Sequence, residues 1–144
     1  MSQENVEIAR AITEAWNTRD MDALRDLYDP DVMVRTAERW PEPGPFVGVE
    51  TVLHEFARYL DTLDASRFES VTYVDAGDRV LARLNWRGVG HGPEMNLEFT
   101  TVTTVRKGRV IFIEFFWDHA EALEAVGCRS NKLTPTPEPP RYCA

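Results

Sequence analysis

The feature that most restricts how this chain can fold is a change of hydrophobic period near Arg67. Before it, apolar residues recur every three or four positions, the spacing of one helix face. After it they alternate, the spacing of strands with one buried side. Helices first and a run of strands afterwards define an α+β layout, with three N-terminal helices on the concave face of a curved antiparallel sheet.

The helical part divides into three. Ile8, Ile12, Ala15 and Trp16 form the first stripe, broadened by Val6 and Ala9. "NTRD" interrupts it, and Asp20 caps a short second helix carrying Met21, Leu24, Leu27 and Tyr28. "DPD" at 29–31 ends that helix, because a residue before proline is pushed out of the helical region. "VMVRT" reads as a short strand. Residues 37–48, with three prolines and two glycines, read as a loop. Val52, Leu53, Phe56, Tyr59, Leu60 and Leu63 then make a wide third stripe.

The alternating part contains four strands, at Phe68–Val74, Arg79–Val89, Glu94–Val105 and Arg109–Trp117. The connections "DAGD", "GHGP" and "RKG" are so short that these strands must pair as an antiparallel meander. Parity places Val80, Ala82, Leu84 and Trp86 towards the helices, with Met95, Leu97, Phe99, Thr101 and Thr103, and with Ile111, Ile113, Phe115 and Trp117. On the other face it leaves Val110, Phe112 and Phe116, too much apolar surface for a monomer. A homodimer through that outer face is the expected assembly.

Length and charge narrow the partners. A chain of 144 residues suits one domain, here residues 1–127, followed by a Pro-rich C-terminal tail over 128–144. Its formal net charge of −8 excludes nucleic acid and anionic membrane as partners, since both need dense positive charge. The N-terminus shows no signal peptide, and no segment has the length of apolar sequence that spans a bilayer. Cys128 and Cys143 are too few for a disulfide framework, and reduced thiols in the cytoplasm are expected, although a bridge closing the tail remains open. His54, His91 and His119 have no metal-ligand spacing, so no metal is expected. "GVGHGP" leads into a strand rather than a helix, so it is a turn and not a phosphate cradle; no cofactor is expected.

The chemical candidates are few. Asp118-His119 pairs an acid with a group that titrates near neutrality, but Glu121 follows Asp118 at capping-box spacing. Asp118 is therefore first a helix cap and only weakly a catalytic candidate. Arg35, with Glu38 and Arg39, is a second weak candidate at the rim of the fold, and His91 in its turn is a third. The inward aromatics have two readings, as plain core or as the wall of an apolar pocket for a flat organic ligand. The pocket reading assigns its wall to Trp16, Thr36, Phe56, Tyr59, Trp86, Phe99, Thr101, Phe115 and Trp117.

Taken together, "AWNTRDMDALRDLYDPDV", "GVETV" and "RKGRVIFIEFFWDHAEALEAVG", in this order, resemble the SnoaL-like branch of the NTF2-like superfamily, over residues 3–127. The resemblance implies a cone of curved sheet and three helices, a ligand pocket in its mouth and frequent dimerisation. It also implies polyketide cyclase or isomerase chemistry on a hydrophobic carbonyl compound, or else a non-catalytic binding or dimerisation module. Ketosteroid isomerases of this superfamily use a tyrosine, a carboxylate base and a protonated acid. Those positions fall here on Ile12, Thr36 and Thr101, and the inward acid of many SnoaL-like chains falls on Phe115. The acid-base groups of the relatives are therefore missing from this sequence.

Overall fold

The computed structural model describes residues 2–40, 44–90 and 92–127. Helix α1 (Ser2–Thr18) buries Val6, Ala9, Ile12 and Ala15, successive members of one helical stripe. The chain reverses at Arg19, in the left-handed region with φ 58°. Asp20 then accepts the N–H of Ala23 at 3.1 Å and caps α2 (Met21–Leu27). Helix α2 ends one residue earlier than its apolar pattern suggests. Tyr28 already has extended backbone and opens β1 (Tyr28–Arg35).

The remaining elements are β2 (Phe46–Val47), α3 (Val49–Leu60), β3 (Ala65–Ala76), β4 (Arg79–Val89), β5 (Met95–Arg106), β6 (Arg109–Phe116) and α4 (His119–Ala125). They form one sheet in the order β2-β1-β6-β5-β4-β3. Strands β3 to β6 are the antiparallel meander that the short turns require. Strand β1, however, runs parallel to β6, so the sheet is not antiparallel throughout. No hairpin joins those two strands; everything from α3 to β5 lies between them and provides the long crossover a parallel pair needs. The two-residue β2, inside the Pro-rich loop, is an addition that the loop composition did not suggest.

Helices α1, α2 and α3 lie on the concave side of this curved sheet. There, Ile12, Ala15, Leu24, Val52 and Leu53 pack against Tyr28, Val32, Val34, Val105, Val110 and Ile113. The fourth helix, α4, takes the opposite face. Its Ala122 and Leu123, with the following Val126, cover Val74, Leu81 and Val102, and Phe116 packs against the same cluster.

That arrangement revises the outer face in two places. Val110 is fully buried on the concave side, because β5 and β6 change register between Thr104 and Val105. Stepping from Val105↔Val110 to Thr104↔Phe112 leaves Ile111 as an extra residue, a bulge that inverts the parity before it. Phe116 is covered by α4. On that face Val47 lies opposite Met33, and Met33 opposite the half-buried Phe112, an apolar row across three strands. Val47 is 58% exposed and Met33 39%.

Among the described residues, no helix is long and apolar enough to cross a membrane. The Pro-rich tail, Cys128, Cys143 and His91 lie outside the described residues.

Candidate functional site

Between the helices and the concave face lies a cavity of about 90 Å³. Helix α1 contributes Ala9, Ile12, Thr13 and Trp16 to its wall, and α3 contributes Phe56, Tyr59 and Leu60. The sheet supplies Tyr28 and Val34 from β1, Phe68 from β3, and Ala82, Leu84 and Trp86 from β4. Phe99, Thr101 and Thr103 come from β5, and Ile113 and Phe115 from β6. Inward parity thus brings Trp16, Phe56, Tyr59, Trp86, Phe99, Thr101 and Phe115 together around one space.

Two residues expected in the wall are elsewhere, for a common reason. Strand β1 ends at Arg35 and β6 at Phe116, so Thr36 and Trp117 each lie one step past the strand whose alternation would have turned them inward. The Thr36 hydroxyl instead accepts the backbone N–H of Gly44 at 2.9 Å. Trp117 is 40% exposed, and its indole N–H donates to the Glu38 carbonyl at 2.6 Å. Both bonds tie down the loop between β1 and β2.

That loop delivers a residue which periodicity had no means of finding. Trp40 is only 6% exposed and folds into the mouth of the cone. Its ring stacks on Trp86 (5.9 Å between centroids, 21° between planes) and meets Phe99 and Phe115 edge-on at 4.8 and 4.7 Å. Trp117 closes the outer side at 5.1 Å. The wall continues behind these rings, where Phe68 stacks on Trp86 at 5.2 Å.

Phe68 is itself positioned by Asn17. The Asn17 amide donates to the Phe68 carbonyl at 2.8 Å and accepts the Phe68 N–H, also at 2.8 Å. One side chain therefore makes both bonds of a strand neighbour and fixes the end of α1 to β3. The "NTRD" segment, legible only as a helix break, holds this contact.

Polar groups in the wall are sparse and uncharged. The Tyr28 ring is 2% exposed, and its hydroxyl accepts the indole N–H of Trp16 at 3.0 Å. Burial pushes the Tyr28 phenol up to about 12, against a smaller opposing pull from the Trp16 bond. Tyr28 is thus a neutral hydroxyl throughout the physiological range. Tyr59, Thr13 and the buried Thr101 and Thr103 complete the set, and among the described residues of the wall there is no Asp, Glu, His, Lys or Arg.

The three weak catalytic candidates do not reach this space. Asp118 is exposed and accepts the N–H of Ala120 at 2.9 Å, the bond of a helix cap. Arg35 points to the outer face, since its neighbour Val34 faces the cavity, and it pairs there with Glu114. His91 is outside the described residues. His119, which follows the cap, also belongs to the outer side, with Nδ1 2.9 Å from the Thr100 hydroxyl. Burial and then the Arg83 charge lower its pKa, with Asp118 and Glu98 opposing. Also on that side, Arg83 pairs with Glu98 at 3.4 Å.

A curved sheet wrapped by three helices around an aromatic cavity defines this protein as an NTF2-like cone. A SnoaL-like domain profile matches residues 9–113, and the chain belongs to the SnoaL-like family. Among solved structures it is similar to Bal32a from a soil-derived mobile gene cassette (TM-score 0.74, 23% identity, covering 79% of this chain and 88% of that one). TerC, co-crystallised with polyporic acid, is similar at a TM-score of 0.70 and 21% identity, over 85% of this chain and 98% of TerC. So is IdmH from Streptomyces antibioticus, named as a candidate polyketide cyclase (TM-score 0.66, 20% identity, 77% and 89% covered). At these identities the likeness is one of fold. No curated protein matches the sequence.

Proposed function

We propose that this protein binds a small, uncharged, aromatic carbonyl compound in the cone cavity, as a binding module without carboxylate-driven proton transfer. The observation that carries this reading is the composition of the wall: aromatic and aliphatic side chains, hydroxyls, and no carboxylate, imidazole, ammonium or guanidinium among its described residues. An acid-base step next to a carbonyl needs an ionisable group within hydrogen-bond reach. The positions where relatives hold such groups carry Ile12, Thr36, Thr101 and Phe115 here. The neutral Tyr28 hydroxyl, already oriented by Trp16, is suited to donate to a ligand carbonyl. The TerC–polyporic acid structure is consistent with a cone of this shape taking an organic ligand.

The test uses 1-acetylnaphthalene, a planar two-ring aromatic ketone. Calorimetric titration should show saturable binding by the full chain, weakened by Tyr28→Phe. Proton NMR in D₂O should show no protein-dependent exchange of its acetyl protons. Absence of binding sinks the ligand assignment, and protein-dependent exchange sinks the non-catalytic one.

For assembly, the row Val47–Met33–Phe112 supports pairing of two copies through the outer sheet face. The dimer uses that row and neither Val110, buried on the concave side, nor Phe116, which packs under α4.

A further inference from the structure

We propose that the indole of Trp40 occupies the ligand's own seat, a cage for a neutral planar aromatic molecule of about two fused rings that enters by displacing it. This rests on the reading of the cavity as a ligand site.

Space is the first argument. The free volume of about 90 Å³ falls well short of the roughly 300 Å³ or more found in small-molecule sites. A ligand of the proposed class needs a side chain to leave, and Trp40 lies among the rings of the wall, against Trp86, Phe99 and Phe115. The rings around it are suited to stay. Trp86, Phe99 and Phe115 stand on β4, β5 and β6, inside the hydrogen-bonded meander. Trp40 comes from the connection between β1 and β2.

The manner in which Trp40 is held is the second argument. The indoles of Trp16 and Trp86 donate to Tyr28 and Ser66. No side-chain hydrogen bond holds Trp40 among the described residues; ring contacts do, and an incoming aromatic ring replaces those in kind. Its backbone N–H bonds to the Ala37 carbonyl at 3.1 Å. The residue before it, Arg39, sits at φ 62°, a strained region for a non-glycine residue, so withdrawal of Trp40 can relieve strain rather than add it. The Trp117 N–H on the Glu38 carbonyl is the catch that keeps the loop inward.

The shape of the seat sets the ligand class. One face is parallel to Trp86 and two edges meet Phe99 and Phe115, so the cage selects a flat ring over a puckered one. Closed and ligand-bound states then compete, and the apparent affinity falls with the fraction of molecules in which Trp40 is out.

The experiment uses the full chain labelled with 5-fluorotryptophan, the Trp40 resonance being identified by its loss in Trp40→Phe. Saturation with 1-acetylnaphthalene should move the Trp40 fluorine signal to a solvent-exposed position. The saturated analogue 1-acetyldecalin should bind about tenfold more weakly, and tetramethylammonium, a round cation, more weakly still. Trp117→Phe keeps a ring but loses the N–H catch, and should bind 1-acetylnaphthalene several-fold more tightly. Binding with the Trp40 signal unmoved, or with equal affinity in wild type and Trp117→Phe, overturns displacement while the ligand-site reading stands. Equal or better binding of 1-acetyldecalin or tetramethylammonium overturns the planar class. No binding of any probe by wild type or Trp117→Phe overturns the ligand-site reading itself.

Discussion

The indole N–H of Trp16 and the hydroxyl of Tyr28 meet at 3.0 Å inside the cone, joining α1 to the first residue of β1. Removing the hydroxyl with Tyr28→Phe leaves the partly buried Trp16 N–H without its acceptor. The expected loss is about 1–3 kcal/mol of unfolding free energy, read from urea titrations at neutral pH. A variant as stable as wild type would show that the pair contributes nothing.

The same tyrosine gives the protein an alkaline limit. Its phenol keeps its proton to about pH 12 when folded, whereas the unfolded chain releases it near 10. Between those values the unfolded state has fewer protons bound, so stability is complete below pH 10 and falls as pH rises to 12. Two pKa units correspond to about 2–3 kcal/mol. The decline should be visibly shallower in Tyr28→Phe; equal slopes would remove Tyr28 as its cause.

His119 works in the opposite direction. Its folded pKa lies below the ordinary histidine value, through burial and Arg83, opposed by Asp118 and Glu98. Stability from the neutral ring is complete above the unfolded pKa near 6.5 and is lost as pH falls through the folded one. NMR titration should place the His119 midpoint below the ordinary histidine value near 6.5. His119→Asn should flatten the acid-side decline, and a His119 midpoint above the ordinary value would contradict the burial of the ring against Thr100.

Asn17→Ala should cost about 1–3 kcal/mol, because two hydrogen bonds to the Phe68 backbone disappear together. The effect should extend to the cavity, since Phe68 stacks on Trp86. Asn17→Asp keeps the acceptor but not the donor and should fall between the two. An Asn17→Ala protein with wild-type urea midpoint would count against the rivet.

For the outer face, Met33→Glu places a charge in the Val47–Met33–Phe112 row. Sedimentation should give a dimer for wild type at micromolar concentration and a monomer for Met33→Glu. A monomeric wild type would end the dimer proposal.

Much of this architecture was legible from alternation alone, as far as alternation held. Ala82, Leu84, Trp86, Phe99, Thr101 and Phe115 face the cavity because no irregularity intervenes between β4, β5 and that part of β6. Parity failed at Val110, one residue before the bulge at Ile111, since an unpaired residue leaves no trace in hydrophobic pattern. It failed again at Thr36 and Trp117, where it was carried beyond the last paired residue. Trp40 escaped altogether. Its burial is set by the rings it meets, in a segment rich in proline and glycine that has no period to read.

Asn17 has one more consequence. Strand β3 is the long edge of the sheet, and an uncovered edge is a template on which a strand of another molecule can grow. At Phe68 both outward peptide groups are already taken by an amide from the same chain. The side chain that shapes the cavity rim therefore also blocks that point of the edge against intermolecular β-pairing, and its loss would open a route to aggregation as well as a looser pocket.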